Sequence, residues 1–382
     1  MDFTLSPEHE AVRTTVRDYT KQKVEPSIEQ FESTATFPHA LIEIAAEMGL
    51  LGIIIPDEYG GAGLDTLALV LVVEEISKVS PALALIICAN NSLAGTPIIA
   101  HGNDAQKEKY LTGLAGGDIY GCYAMTEPNA GSDVASLRAK ATLDGDTWVL
   151  SGTKTLITNG SIADVVIGIF RTSIHPHKGL SAFIIDTATE GFAVTRVENK
   201  MGLSASPTAE IYFDGCRIPR ENLLGSIGDG FRIAMQTMNS GRVYIAAQAL
   251  GIAEGALNLA LGYAGTRKTF GKIIAEHQVI QHSLADMATE IELARSIIYR
   301  TCFLKDSGAP YVKLASMSKL FATEMACRTV DRALQIFGGV GYIRGNRIER
   351  LYRDVRALPI YEGTSEIQKN IIANAILNNK FS

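Results

Sequence analysis

The chain has 382 residues, 47% hydrophobic and 20% charged, which is material for the cores of two or three domains. Its 41 acidic residues against 35 basic ones leave a net charge of −6, so no basic face suited to nucleic acid is expected, although local Arg and Lys can still bind a small anion. Five widely spaced cysteines (Cys88, Cys122, Cys216, Cys302 and Cys327) form no C-x-x-C pair and the seven histidines no H-E-x-x-H cluster, which argues against a disulfide framework and a zinc site.

The opening Met1-Asp2-Phe3-Thr4-Leu5 lacks the basic-then-apolar pattern of a signal peptide and the arginines of a transit segment. The longest apolar runs, such as Ala82 to Ala89, fall far short of the roughly 20 residues that span a bilayer. A cytoplasmic location without a membrane span is the expectation. Residues 1–121 read as a helical domain. Ser6-Pro7-Glu8 is a helix start, because the Ser hydroxyl caps free N–H groups and Pro fits the first turn. Leu41, Ile44, Ala45 and Met48 follow helical spacing, and helical text runs over 67–77 and again from 83 to about 100. Between them, Gly60-Gly61-Ala62-Gly63 lacks the G-x-x-x-x-G-K-[ST] arrangement of a phosphate loop and reads as a tight surface loop. His175 and His177, two apart in a Pro-containing loop, read as a solvated turn.

Residues 122–229 change period. Asp144-Gly145 joins 139–143 to 147–150 as a hairpin, and 165–170, 181–186, 193–197 and 210–213 are further short strands. Strands at this spacing suggest a small sandwich or barrel. Residues 230–382 return to helix. Leu250, Ala253, Leu257, Ala260 and Ala264 form one apolar stripe, and Leu284, Met287, Ile291, Ala294 and Ile298 another, as in a helical bundle. The fold class is therefore multidomain α+β, and the helical–β–helical order excludes a doubly wound sheet holding a dinucleotide.

Three segments carry chemistry. Thr126-Glu127-Pro128-Asn129-Ala130-Gly131-Ser132-Asp133 is dense in hydroxyls and turn residues, and reads either as an ordinary turn or as a set of donors for an anionic or heterocyclic ligand. Arg267-Lys268-Thr269-Phe270-Gly271-Lys272 is either a solvated charged helix end or a pyrophosphate grip with an aromatic beside it. In Ile360-Tyr361-Glu362-Gly363-Thr364-Ser365 a carboxylate sits in an apolar setting, which raises its pKa and suits a base; equally, it caps the last helix.

Together these segments strongly resemble the acyl-CoA dehydrogenase family, as do Pro56 to Gly63, Lys154-Thr155-Leu156-Ile157-Thr158-Asn159-Gly160, Ser206-Pro207-Thr208-Ala209-Glu210 and Gln335-Ile336-Phe337-Gly338-Gly339. Each motif is weak alone; the ordered set is specific and covers essentially the whole chain. The resemblance implies a helical N-terminal domain, a central β domain and a C-terminal four-helix bundle in a homotetramer. It implies an acyl-CoA substrate, non-covalent FAD between the β domain and the bundle, and an electron-transferring flavoprotein as acceptor. By resemblance, Tyr123, Met125, Thr126, Gly131, Ser132, Leu156, Ile157 and Thr158 are cofactor positions on the flavin side. Arg267, Thr269 and Phe270, with His277 and Gln278 nearby, reach the FAD of a neighbouring subunit. Gln335, Gly338 and Gly339 match the adenosine side, and Thr364 and Glu366 follow the base. Ser132, Asn239, Arg242, Tyr361 and Gly363 are the implied substrate contacts.

Glu362 is the implied base, taking the α proton as the β hydride leaves for flavin N5. Some relatives carry the base near Asn239-Ser240-Gly241-Arg242, where this chain has Gly241. Two positions depart from the pattern. Leu156 stands where many relatives have Trp against the flavin. Asn90-Asn91-Ser92 interrupts an apolar helix that lines the acyl pocket in relatives, and reads as a polar helix face or as a pocket tolerant of a ring or a polar acyl group. An oxidase of the same fold is a rival reading; a non-catalytic or DNA-associated member would need a lost base or a basic face.

Overall fold

The computed structural model describes residues 4–378; Met1 to Phe3, part of the opening read for a leader, and the last four residues lie outside it. Ser6 accepts the His9 N–H at 3.2 Å and starts α1 (Pro7–Tyr19), which runs through a π-helical turn (Thr20–Val24) into α2 (Glu25–Thr34). After α3 (His39–Glu47), Asp65 caps α4 (Thr66–Ser77) by accepting the Ala68 N–H. Then follow α5 (Pro81–Cys88), a π-helical segment (Ala89–Gly95), α6 (Thr96–His101) and α7 (Asp104–Gly116). Pro81 to His101 is thus one run of 21 residues, longer than the apolar text suggested. It and the later Gly230–Thr266 are long and apolar enough, by length and composition, to cross a bilayer, but 83% and 67% of their apolar windows are buried in the chain itself. A helix apolar all round is what a large protein core requires.

Eight strands make one sheet: β1 (Gly121–Ala124), β2 (Lys140–Asp144), β3 (Thr147–Thr158), β4 (Val165–Arg171), β5 (Leu180–Asp186), β6 (Phe192–Val197), β7 (Thr208–Pro219) and β8 (Leu223–Leu224). The order is β6-β7-β3-β2-β4-β5-β8, with β1 parallel beside β4. The expected strands at 147–150 and 210–213 are parts of twelve-residue strands. Register shifts at Leu150/Ser151 and Lys154/Ile157 break the alternation that the sequence pattern relies on. β4 is covered on both faces. Val165, Ile167 and Ile169 join the helical side, while Val166 and Phe170 pack with Trp148, Phe183 and Phe213 on the other. That explains an apolar run without alternation.

The third part is α8 (Gly230–Thr266), a two-strand hairpin of β9 (Lys268–Thr269) and β10 (Lys272–Ile273), α9 (Gln278–Asp306), α10 (Val312–Phe337), α11 (Arg347–Val355) and α12 (Ser365–Leu377). At 37 residues α8 is about 55 Å long and is the axis of the molecule. It packs on α9, α10 and α4. A Cβ at Gly251 would lie 2.2 Å from the Glu74 carbonyl oxygen, and one at Gly255 2.2 Å from that of Lys78, so only glycine permits this approach. The helices at the two ends of the chain consequently share one continuous core.

Candidate active site

A cleft of about 550 Å³ opens where β1, the 126–133 loop, β3, α8 and the turn before α12 meet. Tyr123, Met125, Thr126, Gly131, Ser132, Leu156, Ile157 and Thr158 line its β side, and Arg242, Tyr361, Glu362, Gly363 and Thr364 its helical side. Segments more than 200 residues apart in sequence thereby share one site.

Glu362 stands at φ +55 and Gly363 at φ +89, so the chain turns sharply just before α12. Thr364, not Glu362, caps that helix, accepting the Ile367 N–H at 3.4 Å. The Glu362 carboxylate is free for another role. Its Oε2 is buried without a hydrogen-bond partner and lies against Gly241, where a Cβ would fall 2.6 Å from it. Burial pushes the carboxyl pKa up to about 7, opposed by the charges of Arg242 and Lys319. Arg242 is buried, and its Nη1 donates to Asn239 Oδ1; Asn239 reaches the site through this bond. Tyr361 lines the cleft, but its hydroxyl donates away from it, to Gln248 Oε1, and Gln248 in turn donates to the Pro81 carbonyl at 2.8 Å.

On the β side, Glu127 is an organiser of the loop and not a ligand donor. Its carboxylate accepts the N–H groups of Arg138 (2.7 Å) and Ala139 (2.9 Å) and the Lys154 Nζ (2.8 Å). Lys154 is fully buried and also donates to the carbonyls of Met125 and Ile169. Burial lowers its pKa to about 8 although Glu127 opposes this. The pair ties the 126–133 loop to β3. Two residues on, Leu156 occupies the bulge at φ +58, 61% exposed on the rim of the cleft. A non-glycine residue in that conformation is uncommon and costs about 1–3 kcal/mol, strain that tends to sit at functional sites.

Several residues fall outside the cleft. Arg267 is the exposed C-cap of α8, as the helix-end reading has it, and Thr269 and Phe270 follow in the β9–β10 hairpin. Phe270, at φ +49 on its tip, is 98% exposed. His277 approaches the hairpin, its Nε2 3.3 Å from Thr269 Oγ1, and Gln278 opens α9. Gln335, Gly338 and Gly339 form the exposed end of α10, and Glu366 is exposed on the first turn of α12. Asn90 and Asn91 are fully buried in the π-helical segment and do not line the cleft, so the stretch is a buried polar face of a helix and not a wall of this cleft. Asn90 donates to the carbonyls of Leu51 and Leu114 and accepts the Gly121 N–H, while Asn91 donates to Leu50 and Ile87.

Sequence reasoning missed three features: Lys319, whose Nζ donates to the Gly363 carbonyl at 2.7 Å; Gln368, which donates to the same carbonyl at 2.8 Å; and the place of His177, an exposed turn residue as expected, which also lines the cleft with its ring 4.4 Å from that of Phe231. For Lys319 a signal existed, since Ala315, Lys319, Ala322 and Ala326 lie on one buried helical stripe.

Three family models match in chain order: the acyl-CoA dehydrogenase N-terminal domain over residues 6–118, the middle domain over 122–216 and the C-terminal domain over 228–377. The chain is 43% identical over 377 residues to the short-chain specific acyl-CoA dehydrogenase of Clostridium acetobutylicum, covering 98% of this chain and 100% of that one. The chain belongs to the acyl-CoA dehydrogenase family. It superposes with a TM-score of 0.97 on butyryl-CoA dehydrogenase from Megasphaera elsdenii, at 38% identity over 99% of this chain and 100% of that one. A chain solved in work on the electron transferring flavoprotein of Acidaminococcus fermentans gives the same TM-score at 41% identity, with 99% and 100% covered. As an acyl-CoA dehydrogenase it is an oxidoreductase acting on acyl-CoA, and members of the family are FAD flavoproteins. The cleft fits such a cofactor: the apolar side chains of Met125, Leu156 and Ile157 are interleaved with the hydroxyls of Thr126, Ser132 and Thr158, which suits a flat heterocycle with a polar edge.

Proposed function

We propose that the chain catalyses α,β-dehydrogenation of an acyl-CoA thioester to the 2-enoyl-CoA, with Glu362 as the base and an electron-transferring flavoprotein as the acceptor. The observation that carries this reading is the buried, unpartnered Oε2 of Glu362 inside the cleft, on a carboxyl whose pKa lies near neutrality. An α C–H is a weak acid, and a base whose pKa is close to the working pH removes its proton most effectively. Asp133, the other carboxylate along the cleft, is exposed. Bound FAD would supply the hydride acceptor. Among the described residues the Glu362 N–H donates to no protein acceptor, so it is open to a thioester carbonyl as negative charge develops there. Thr126, Ser132 and Thr158 would hold the cofactor on the β side, and Arg242 the substrate side. The exposed Arg267–Phe270 tip would reach the FAD of a neighbour in a homotetramer. Relatives named for short-chain and butyryl substrates support a short acyl group, and the Acidaminococcus neighbour supports the acceptor.

The test is anaerobic flavin bleaching with a panel of straight, branched, cyclic and dicarboxylic acyl-CoA thioesters. Wild type should bleach fastest with a short straight chain, and Glu362→Gln should bind FAD and thioester yet bleach slower by several orders of magnitude. Near-normal bleaching by the Gln variant would remove Glu362 from the chemistry.

A further inference from the structure

Lys319 lies on α10, fully buried, and does not line the cleft. A buried ammonium is costly unless it is bonded for a purpose. Its Nζ donates to the carbonyl of Gly363, at 2.7 Å, directly after Glu362. Gln368 on α12 also donates to that carbonyl, at 2.8 Å, and to the Glu362 carbonyl at 3.3 Å. The two donors grip the turn in which Glu362 and Gly363 both hold positive φ, a conformation that the local sequence does not favour by itself.

We infer that Lys319 is a positioning residue for the base: its bond to the Gly363 carbonyl fixes the strained turn, and its charge, set behind the turn, favours the ionised form of Glu362. The inference rests on Glu362 being the base. The groups that face this pair from the surrounding elements are Arg242 on α8, Glu324 on α10 itself, Glu366 on α12, Tyr123 on β1, Cys88 on α5 and Tyr361 in the turn. Of these, Arg242 also favours the Glu362 carboxylate; the others either carry negative charge or are neutral at working pH. Burial lowers the Lys319 pKa to about 8, with Glu362 opposing.

The experiment compares FAD-loaded wild type with Lys319→Met, Lys319→Gln and Lys319→Arg, using the thioester that bleaches wild type fastest. Without the charge, the acid limb of the bleaching rate should move up by about one pH unit. Bleaching would then be about tenfold slower at pH 6 and nearly unchanged at pH 9. Lys319→Arg should restore the limb. Lys319→Gln keeps a donor within reach of Gly363 and carries the same readout if the Met variant does not fold. In substrate-free protein, the carboxyl ¹³C resonance of Glu362, assigned by its loss in Glu362→Gln, should titrate at higher pH in the charge-removed variants. An unmoved limb and an unmoved carboxyl titration overturn the inference, as does loss of folded holoenzyme in both neutral variants, which would assign Lys319 to the fold alone. Failure of the base assignment is separate: it would show as bleaching by Glu362→Gln, whatever Lys319 does.

Discussion

At the scale of single residues, the site rests on one carboxylate whose environment works against its charge. Burial raises the Glu362 pKa to about 7 from an ordinary value of 4.5. The native state therefore binds this proton more tightly than the unfolded chain. The resulting stabilisation is full below about pH 4.5 and is lost as the pH rises through about 7. If Glu362 is the base, activity runs the opposite way, because only the carboxylate can accept a proton. Flavin bleaching should fall about tenfold per unit below pH 7. The melting temperature of wild type should drop relative to Glu362→Gln between pH 5 and pH 8, a comparison that thermal unfolding in matched buffers makes directly. A parallel pair of melting curves across that range would show that burial does not act on this group as described. Gly241 gives a second check. A methyl group there collides with Glu362 Oε2, 2.6 Å away, and the far end of that side chain is what must yield. Gly241→Ala should keep the fold, since Ala favours a helix interior by about 1 kcal/mol. On the proposed role of Glu362, it should nevertheless slow bleaching by roughly tenfold or more by displacing that carboxylate.

At the scale of elements, buried polar side chains do the joining. Glu127 and Lys154 tie the loop to β3, and Glu74 on α4 meets Arg295 at 3.2 Å and Tyr299 at 3.0 Å on α9. Asn90 is the clearest case, since three backbone groups from three segments depend on one side chain. Asn90→Ala should cost about 3 kcal/mol in urea unfolding, as those groups lose their partner in the interior. The ranking of acyl-CoA substrates should stay as in wild type. A changed ranking with unchanged stability would instead place Asn90 at the acyl pocket.

At the scale of the whole molecule, one long helix joins the two helical parts, and a hairpin projects away from them. Phe270 exposes nearly its whole side chain on that hairpin, in a left-handed conformation that only a specific turn maintains. If the tip completes a neighbour's cofactor site, Phe270→Asp should lower both the assembled mass, measured by light scattering after gel filtration, and the FAD retained per chain. Full assembly with full FAD content would show that the tip is not part of that contact.

The local pattern of this chain determined much of its architecture. The Ser6 cap, the apolar stripes of α8 and α9 and the hairpin at Asp144-Gly145 follow from capping chemistry and periodicity, which act over a few residues. The cluster at Ile360 to Ser365 marked Glu362 for the same reason, because a carboxylate among apolar neighbours is locally visible. Other features were decided only in three dimensions. Asn90 and Asn91 looked like a polar helix face or a pocket wall, and became buried ties only when Leu50, Leu51, Leu114 and Gly121 came within reach. The bulge that places Leu156 on the rim depends on the register of β3 against β7. Whether Glu362 was a cap or free for catalysis turned on Thr364 taking the cap, and its raised pKa on burial with Arg242 and Lys319 brought from α8 and α10. Local propensity reports what a segment prefers; desolvation and long-range hydrogen bonds exist only once distant segments have closed around a group.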